Sequence, residues 1–513
     1  MANHYHKGAS IETCGEVSGF EAASLLKEIG EFLQRCARPA VLEMGDEPVA
    51  LLPGEHAWEI RNGSLFFSTW TGPRSINRQI IAIQTKKPGL LVCSIRRFGG
   101  AEGRLNVLDL AHPRSVGRLA SGGRQNFSEA FRRMLNRQLP DWTIRSLTTE
   151  MSLQQSFSPK FPRAILEQGS RRIAAMACPS PADEPQFLSF ALLWHSYVSG
   201  AEHTRSRVPL VLFLPSGSGN ITALRLKWLR VSVRLFCYNE HGSAGEIDVS
   251  DLGNMDTQIV RRVPAQSASC DVEQFLDSLA ERYGVECVDD AESRRCLRIN
   301  GLEFAHISRN SVYCGLEASA RHQAASFGEV ESLAASLATV RAAGADRDHP
   351  LYRSQPENWL ESSVRKAPGA IDPTLEGQPV WSQVITFAAA DRDVIDLLSA
   401  SRSGRVTVIE LKIGEDIQLP LQALDYWMRI EWHIRQGDLD LFFPRTGLLR
   451  TPPRLILAAP AVTFHPSNEI VLSYFAPEIE TERVGLNLEW QQGLKVAFRL
   501  RGSEKPQSQG RCQ

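Results

Sequence analysis

Two short apolar runs that carry acid inside them constrain this chain more than any other feature. Val394–Leu398 and Val406–Leu411 are partly β-branched and flank the polar stretch Ser399–Gly404, a pattern that predicts a β-hairpin. Asp396 interrupts the first run, and Glu410 and Lys412 close the second with only Leu411 between them. Side chains alternate faces along a strand, so Glu410 and Lys412 project to one side while Ile409 and Leu411 enter the core. Pairing in register brings Asp396 beside Glu410. Two carboxylates at that range repel unless a cation or a shared proton relieves them. Mg²⁺ (or Mn²⁺) suits the task, because it is held by one or two carboxylates, keeps several waters and takes phosphate oxygen at its remaining positions. Lys412 would then orient or deprotonate a metal-bound water and stabilise charge growing on the phosphate. A Glu-Leu-Lys triplet alone is commonplace, and its bland reading is a solvated hairpin, so its neighbours decide.

Those neighbours follow a definite order. In LPLQALDYWMRI the residues Leu421, Leu424, Trp427 and Met428 have helical spacing, and Gln422 and Tyr426 share one side of that helix. Upstream, WLESSVRKAP places Glu361 on a second amphipathic helix, with Leu360 and Val364 inward and an end near Pro368. A Glu on a helix, an Asp on a strand, Glu-x-Lys on the next strand and Gln-x-x-x-Tyr on the following helix resemble the PD-(D/E)xK nuclease superfamily. Within it the chain looks most like the C-terminal domain of NucS-type DNA endonucleases and the RecB-type branch with its Gln-x-x-x-Tyr.

The resemblance spans roughly residues 350–501 and implies a restriction-endonuclease-like αβββαβ core. By it, Asp396, Glu410 and the Leu411 backbone carbonyl would be metal ligands, with Glu361 a supporting acid near the ion. Lys412 would be the catalytic lysine, and Gln422 and Tyr426 the substrate-side pair. Ile395 stands where the superfamily's name has proline. Asp393 is a rival ligand, but on a regular strand it faces away from Asp396.

At 513 residues, with 43% hydrophobic content, the chain has room for two to four buried cores. A net charge of −1 excludes a protein coated in positive charge, so contact with nucleic acid has to come from local patches. The ten cysteines form no CxxC and no recurring spacing, and the first residues show no signal peptide; they read as reduced thiols of a cytoplasmic protein. No apolar run approaches the ~18 residues of a membrane span, so no membrane partner is expected.

The expected architecture is α/β and α+β multidomain. Residues 1–18 and 502–513 read as disordered ends. Residues 19–112 read as an N-terminal β-rich domain after one helix, 113–160 as a basic helical connector, 161–314 as a middle α/β domain, 315–349 as a helical linker and 350–501 as the nuclease-like domain. In the first domain Trp58, Phe66, Phe67 and Trp70 are candidates for stacking on bases, though such aromatics are more often core. In the connector Arg124, Arg132, Arg133 and Arg137 are candidates for phosphate contact, weighed against a merely solvated arginine face. The middle domain alternates strands with helices, the mark of a mixed or parallel sheet. Its VPLVLFLP strand runs into SGSGN ahead of a helix, a place where free amides hold anions, but without the lysine ending of a P-loop. The domain is open to reading as a degenerate relative of the nuclease core or a ligand sensor, and His195 on its apolar helix reads as a packing histidine.

Three functions follow as expectations. The first is a metal-dependent endonuclease, acting on DNA by the resemblance, with the other domains selecting substrate and a homodimer possible. The second is an inactive nuclease-fold module that grips DNA or docks a partner. The third is an effector nuclease of a defence system, gated by a ligand on the middle domain.

Overall fold

The computed structural model describes residues 19–505 apart from 44–48, 53, 62, 70–75, 97–101, 112–126, 201–207, 240–241, 250–256, 261–268, 290–293, 309–310, 318–320 and 389–390. Among the described residues the architecture is mixed α/β with four sheets. Gly19–Gln34 is a helix that lays Ala22, Ile29 and Phe32 on the first sheet. That sheet has seven antiparallel strands between Pro39 and Asp109, and strict alternation supplies its inner face: Leu65 and Phe67 from one strand, Leu91, Cys93 and Ile95 from another. Phe67 is therefore core, with Trp58 packed on it at 4.5 Å between ring centroids, and Trp70 lies outside the described residues. Trp58 and Phe67 are thus packing residues, while Phe66 is half-buried on the opposite face of its strand.

The second and third sheets are built on one plan. In the second, a helix over 127–138 precedes antiparallel strands Thr143–Thr148, Arg163–Gln168 and Arg171–Ala177. The helix Glu184–Ser199 then crosses to the parallel strand Leu210–Pro215, the short helix Asn220–Leu226 leads to the parallel strand Val233–Tyr238, and Ala244–Ile247 closes the edge antiparallel. In the third, the helix Pro356–Lys366 precedes antiparallel strands Val380–Ala388, Asp391–Ala400 and Val406–Leu411. The helix Leu419–Gln436 crosses to the parallel strand Arg454–Pro460, the short helix Ser467–Leu472 leads to the parallel strand Thr481–Leu486, and Val496–Arg501 closes antiparallel. The third sheet adds one edge strand, Thr257–Ile259, which pairs with Val380–Ala388 from a part of the chain expected to belong to the middle domain.

The two like-built units share one core. Ala191, Leu192 and Val198 of the Glu184–Ser199 helix lie in a single apolar cluster with Leu424, Trp427 and Ile430 of the Leu419–Gln436 helix. Their contact is reciprocal. Leu229, just past the short helix of the middle unit, bridges Phe475, just past the short helix of the other. Around that bridge Arg230 N donates to Tyr474 O at 2.7 Å and Ala476 N to Trp228 O at 2.9 Å, one bond in each direction. Each unit buries its outer sheet face separately, under the 127–138 helix in one case and the Pro356–Lys366 helix in the other.

The remaining residues of the expected middle domain form a unit of their own. Five short strands between Glu286 and Gln323 pair in sequence order, and the helices Cys270–Tyr283 and Phe327–Val340 cover them. Phe327–Val340 is thus no bare linker; Val330, Ala334 and Leu337 are among this unit's most buried residues. Among the described residues no helix is long and apolar enough to cross a membrane.

Candidate active site

The hairpin forms with the register that its pattern implies. Leu397 pairs with Ile409, Leu398 with Val408 and Ala400 with Val406, so Asp396 and Glu410 stand opposite one another one step further along. Asp396 Oδ2 accepts the Leu411 amide at 2.9 Å. Lys412 Nζ lies 3.5 Å from Glu410 Oε1. The carboxyl groups of residues 396 and 410 and the ammonium of 412 therefore converge on one spot, and Leu411 takes part through its backbone.

The first strand is not regular, however, and this alters the standing of Asp393. Ile395 and Leu398 both point into the cluster beneath the Leu419–Gln436 helix, while Leu397 faces Leu360 and Val364 on the other side. The slip has a visible counterpart on the neighbouring strand. Val384 pairs with Ile395 and Ser382 with Leu397, and Gln383 between them, opposite Asp396, has a left-handed φ of 52°. A non-glycine residue in that region is uncommon and clusters where a site imposes strain. With the alternation broken, Asp393 is not turned away from the site side of the sheet. It is held instead by Arg429, whose Nη1 lies 2.5 Å from Asp393 Oδ2.

Burial governs the charge at the centre. Glu410 is 1% exposed, and its carboxyl is raised well above the ordinary range, first by desolvation and then by the Asp396 charge, with Lys412 pulling the other way. Asp396 is raised too, chiefly by burial, against the opposing bond from Leu411 N and the Lys412 charge. Burial works against the Lys412 ammonium, yet Glu410, Glu357 and Asp396 outweigh it and lift its pKa. Glu410 Oε2 is buried and has no hydrogen-bond partner. An unpartnered buried carboxylate oxygen costs several kcal/mol by order of magnitude, and a divalent ion would supply the missing partner. Glu410 and Asp396 therefore fit a hard, oxygen-bound cation.

The Leu419–Gln436 helix contributes the pair expected of it. Gln422 Nε2 donates to Tyr426 Oη at 2.9 Å. The Tyr426 phenol is pushed above its ordinary pKa by burial and then by Glu410, with Asp393 and Asp396 adding to the effect. Tyr426 thus stays a neutral hydroxyl beside the acids.

Glu361 is a correction. It was expected near the ion, but it is buried with Arg365 Nε at 3.3 Å and Arg298 Nη1 at 3.8 Å, in an ion cluster that also holds Glu286. Arg365 bonds Glu286 as well, and Lys366 Nζ lies 2.8 Å from it. Glu361 therefore ties its helix to the small five-stranded unit. The acid that does reach the site is Glu357, one turn earlier. Its Oε1 accepts the Ile413 amide at 3.4 Å, and its charge raises both Asp396 and Lys412. Its place in the first turn after Pro356 is the only trace of it in the sequence.

The other candidates fall as follows. The 127–138 helix turns Phe131, Met134 and Leu135 inward, while Arg132, Arg133 and Arg137 are exposed; Arg132 lies 3.7 Å from Glu129, and Arg137 donates to Gly242 O at 3.3 Å. Arg124 lies outside the described residues. The SGSGN loop does hold an anion, but it is the chain's own. Glu184 accepts Gly219 N at 2.9 Å, Thr222 N at 3.2 Å and the Thr222 hydroxyl at 2.9 Å. His195 is fully buried between the Tyr474 hydroxyl and the Val208 carbonyl, each 2.7 Å away, as a packing histidine should be. Cys314, His322 and Glu329 also gather in the small unit, where Glu329 binds His322 at 2.7 Å and caps the Ala325 amide.

No family model matches the chain, and no curated protein matches it. The chemistry of the site has to be read from the residues themselves.

Proposed function

We propose that this chain is a metal-dependent nuclease that hydrolyses phosphodiester bonds, with DNA as its substrate. The observation that carries the reading is the convergence of Asp396, Glu410 and Lys412, with Glu410 Oε2 buried and unpartnered. Asp396 and Glu410 would hold Mg²⁺ or Mn²⁺, which when bound lowers the pKa of a coordinated water and polarises the phosphoryl oxygen. Glu410, inserted from the centre of the sheet, fixes where that charge sits. Asp396 is kept from swinging away by the Leu411 amide. Lys412 presents its ammonium at the edge of the pair, where it orients the attacking water and offsets negative charge on the phosphate. Glu357 adds a carboxylate on the outer side and helps to keep Lys412 protonated until substrate arrives. Gln422 and Tyr426 supply a fixed amide–hydroxyl pair alongside.

A ligand-gated version draws no support from the SGSGN loop, since Glu184 already takes its Gly219 amide and the Thr222 amide just beyond it. The test is a panel of labelled substrates, duplex, single-stranded, flapped, mismatched and RNA, incubated with Mn²⁺. Cleavage of a DNA member is expected, and its loss in Glu410→Ala and in Lys412→Ala. Cleavage that keeps its wild-type rate in either substitution would remove the mechanism, and an uncut panel would remove the function.

A further inference from the structure

The shared plan of the second and third sheets extends to individual residues, because their registers agree. Leu411 pairs with Ala458, two residues before Pro460, and Ala177 pairs with Phe213, two residues before Pro215. The next amide donates to the same carbonyl in each: Lys412 N to Ala458 O at 3.1 Å, Cys178 N to Phe213 O at 2.8 Å. Past the prolines the agreement continues, Ala461 N donating to Leu486 O at 2.8 Å and Ser216 N to Tyr238 O at 2.7 Å. Glu410 therefore corresponds to Met176, and Lys412 to Cys178. Across the hairpin Met176 pairs with Arg163, as Glu410 stands opposite Asp396, so Arg163 occupies the place of Asp396.

Each of these replacements removes the chemistry. Met176 is buried in the core shared by the two units. The Cys178 thiol is raised by burial and donates to Ser180 O at 3.2 Å. Arg163 puts a cation where a cation would have to bind. It is almost fully buried, 4.7 Å from the Phe157 ring centroid and 5.5 Å from that of Trp194, and it donates to the Ser158 and Glu150 carbonyls. The middle unit has the frame of the C-terminal unit with its site filled in.

We propose that the chain is a dimer fused into one polypeptide, with one working centre and one sealed twin, and that it cuts a single strand of a DNA duplex in each encounter. This rests on the nuclease reading above. The reciprocal contacts at Leu229 and Phe475 are those of an isologous two-fold interface, in which the same patch serves both partners. Such an axis matches the two-fold relation between the antiparallel strands of a duplex, so that each half of a symmetric protein addresses one strand. In the half facing the second strand, none of the three equivalent positions carries a carboxylate or a lysine, and the acids beside Cys178 are engaged elsewhere, Asp183 by Lys160 and Glu184 by the Gly219 and Thr222 amides. The helix Leu419–Gln436 already packs on Asn220–Leu226 of the middle unit, and Ser467–Leu472 on Glu184–Ser199, so these faces of the C-terminal unit are covered within one apolar cluster. The role expected of a second copy is thereby filled from within the chain.

The test combines negatively supercoiled plasmid with duplexes, fully paired and centrally mismatched, that carry a different label on each strand, all with full-length protein and Mn²⁺. The sedimentation mass is measured under the same conditions. The expected result is a monomer of 57.0 kDa that converts plasmid to nicked circles with no linear product in the first turnover. One strand of each duplex is cut, all cutting is lost in Glu410→Gln, and cutting is unchanged in Cys178→Ser. Linear plasmid formed as fast as nicks by the monomer, with Glu410→Gln inactive, overturns the single-strand proposal and leaves the nuclease reading intact. A stable homodimer that cuts both strands overturns it likewise. Wild-type protein that cuts nothing overturns the nuclease reading and this proposal with it.

Discussion

Glu410 is where the energetic cost of the site is concentrated. Its folded-state pKa lies above its ordinary value, because burial and then Asp396 disfavour the charged form. A group raised in this way stabilises the fold fully below its unfolded pKa, and that contribution is lost as pH climbs through the folded value. Ion-free protein should therefore lose thermal stability as pH is raised from about 5 upward. The slope should be weaker in Glu410→Gln, and Mn²⁺ should flatten it in the wild type by taking the proton's place; melting curves across pH with and without the ion check this. Lys412→Ala should lower cleavage by about 10²–10³-fold at saturating metal, the scale of losing one charge-stabilising donor. Glu361→Gln should spare cleavage far better than Glu357→Gln, as rates for the purified variants will show. Asp396, Glu410 and Lys412 were legible in the sequence because strand periodicity alone brings them together. Glu357 was not, because which turn of a helix meets a strand end depends on packing. Glu361 misled because its partners, Arg298 and Glu286, come from a sheet that no local pattern connects to its helix.

Among the elements, the hairpin depends on its turn. Gly404 has φ +86°, and a Cβ there would stand 2.0 Å from the Gly447 carbonyl oxygen. Gly404→Ala should cost about 1–3 kcal/mol in urea unfolding and weaken metal binding, since the turn sets the register that joins Asp396 to Glu410. The Arg225–Asp425 pair, 2.7 Å apart and almost fully buried, ties the short helix of the middle unit to the long helix of the C-terminal one. Asp425→Ala leaves the guanidinium uncompensated and should cost about 3–5 kcal/mol, read from the same denaturation curves. Most strands and helices were readable from period and turn chemistry, including the fully buried Leu210–Pro215 and Val406–Leu411. What local pattern could not carry was long-range pairing. Thr257–Ile259 gives no hint that its partner lies more than a hundred residues away, and the strands of residues 286–323 look like the end of the preceding domain until their own core is seen.

At the scale of the whole molecule, the shared apolar core makes the second and third sheets one folding unit. A fragment covering residues 350–505 exposes Leu424, Trp427 and Ile430 to water and should fail to give a cooperative melt, whereas the two units together should melt in a single transition. Circular dichroism of the two fragments decides the matter. Sequence reading left the duplication as one of two alternatives for the middle domain, because the copies share a plan and not residues: Glu410 answers to Met176 and Asp396 to Arg163, so the positions that identify one copy are those that the other has lost. The paired amide bonds at Leu229 and Phe475 also bear on how a substrate is met. Stitched together along their seam, the twins cannot part like jaws. Under the proposed activity a duplex therefore has to come to Asp396 and Glu410 with both units locked together, without a cleft that opens between them.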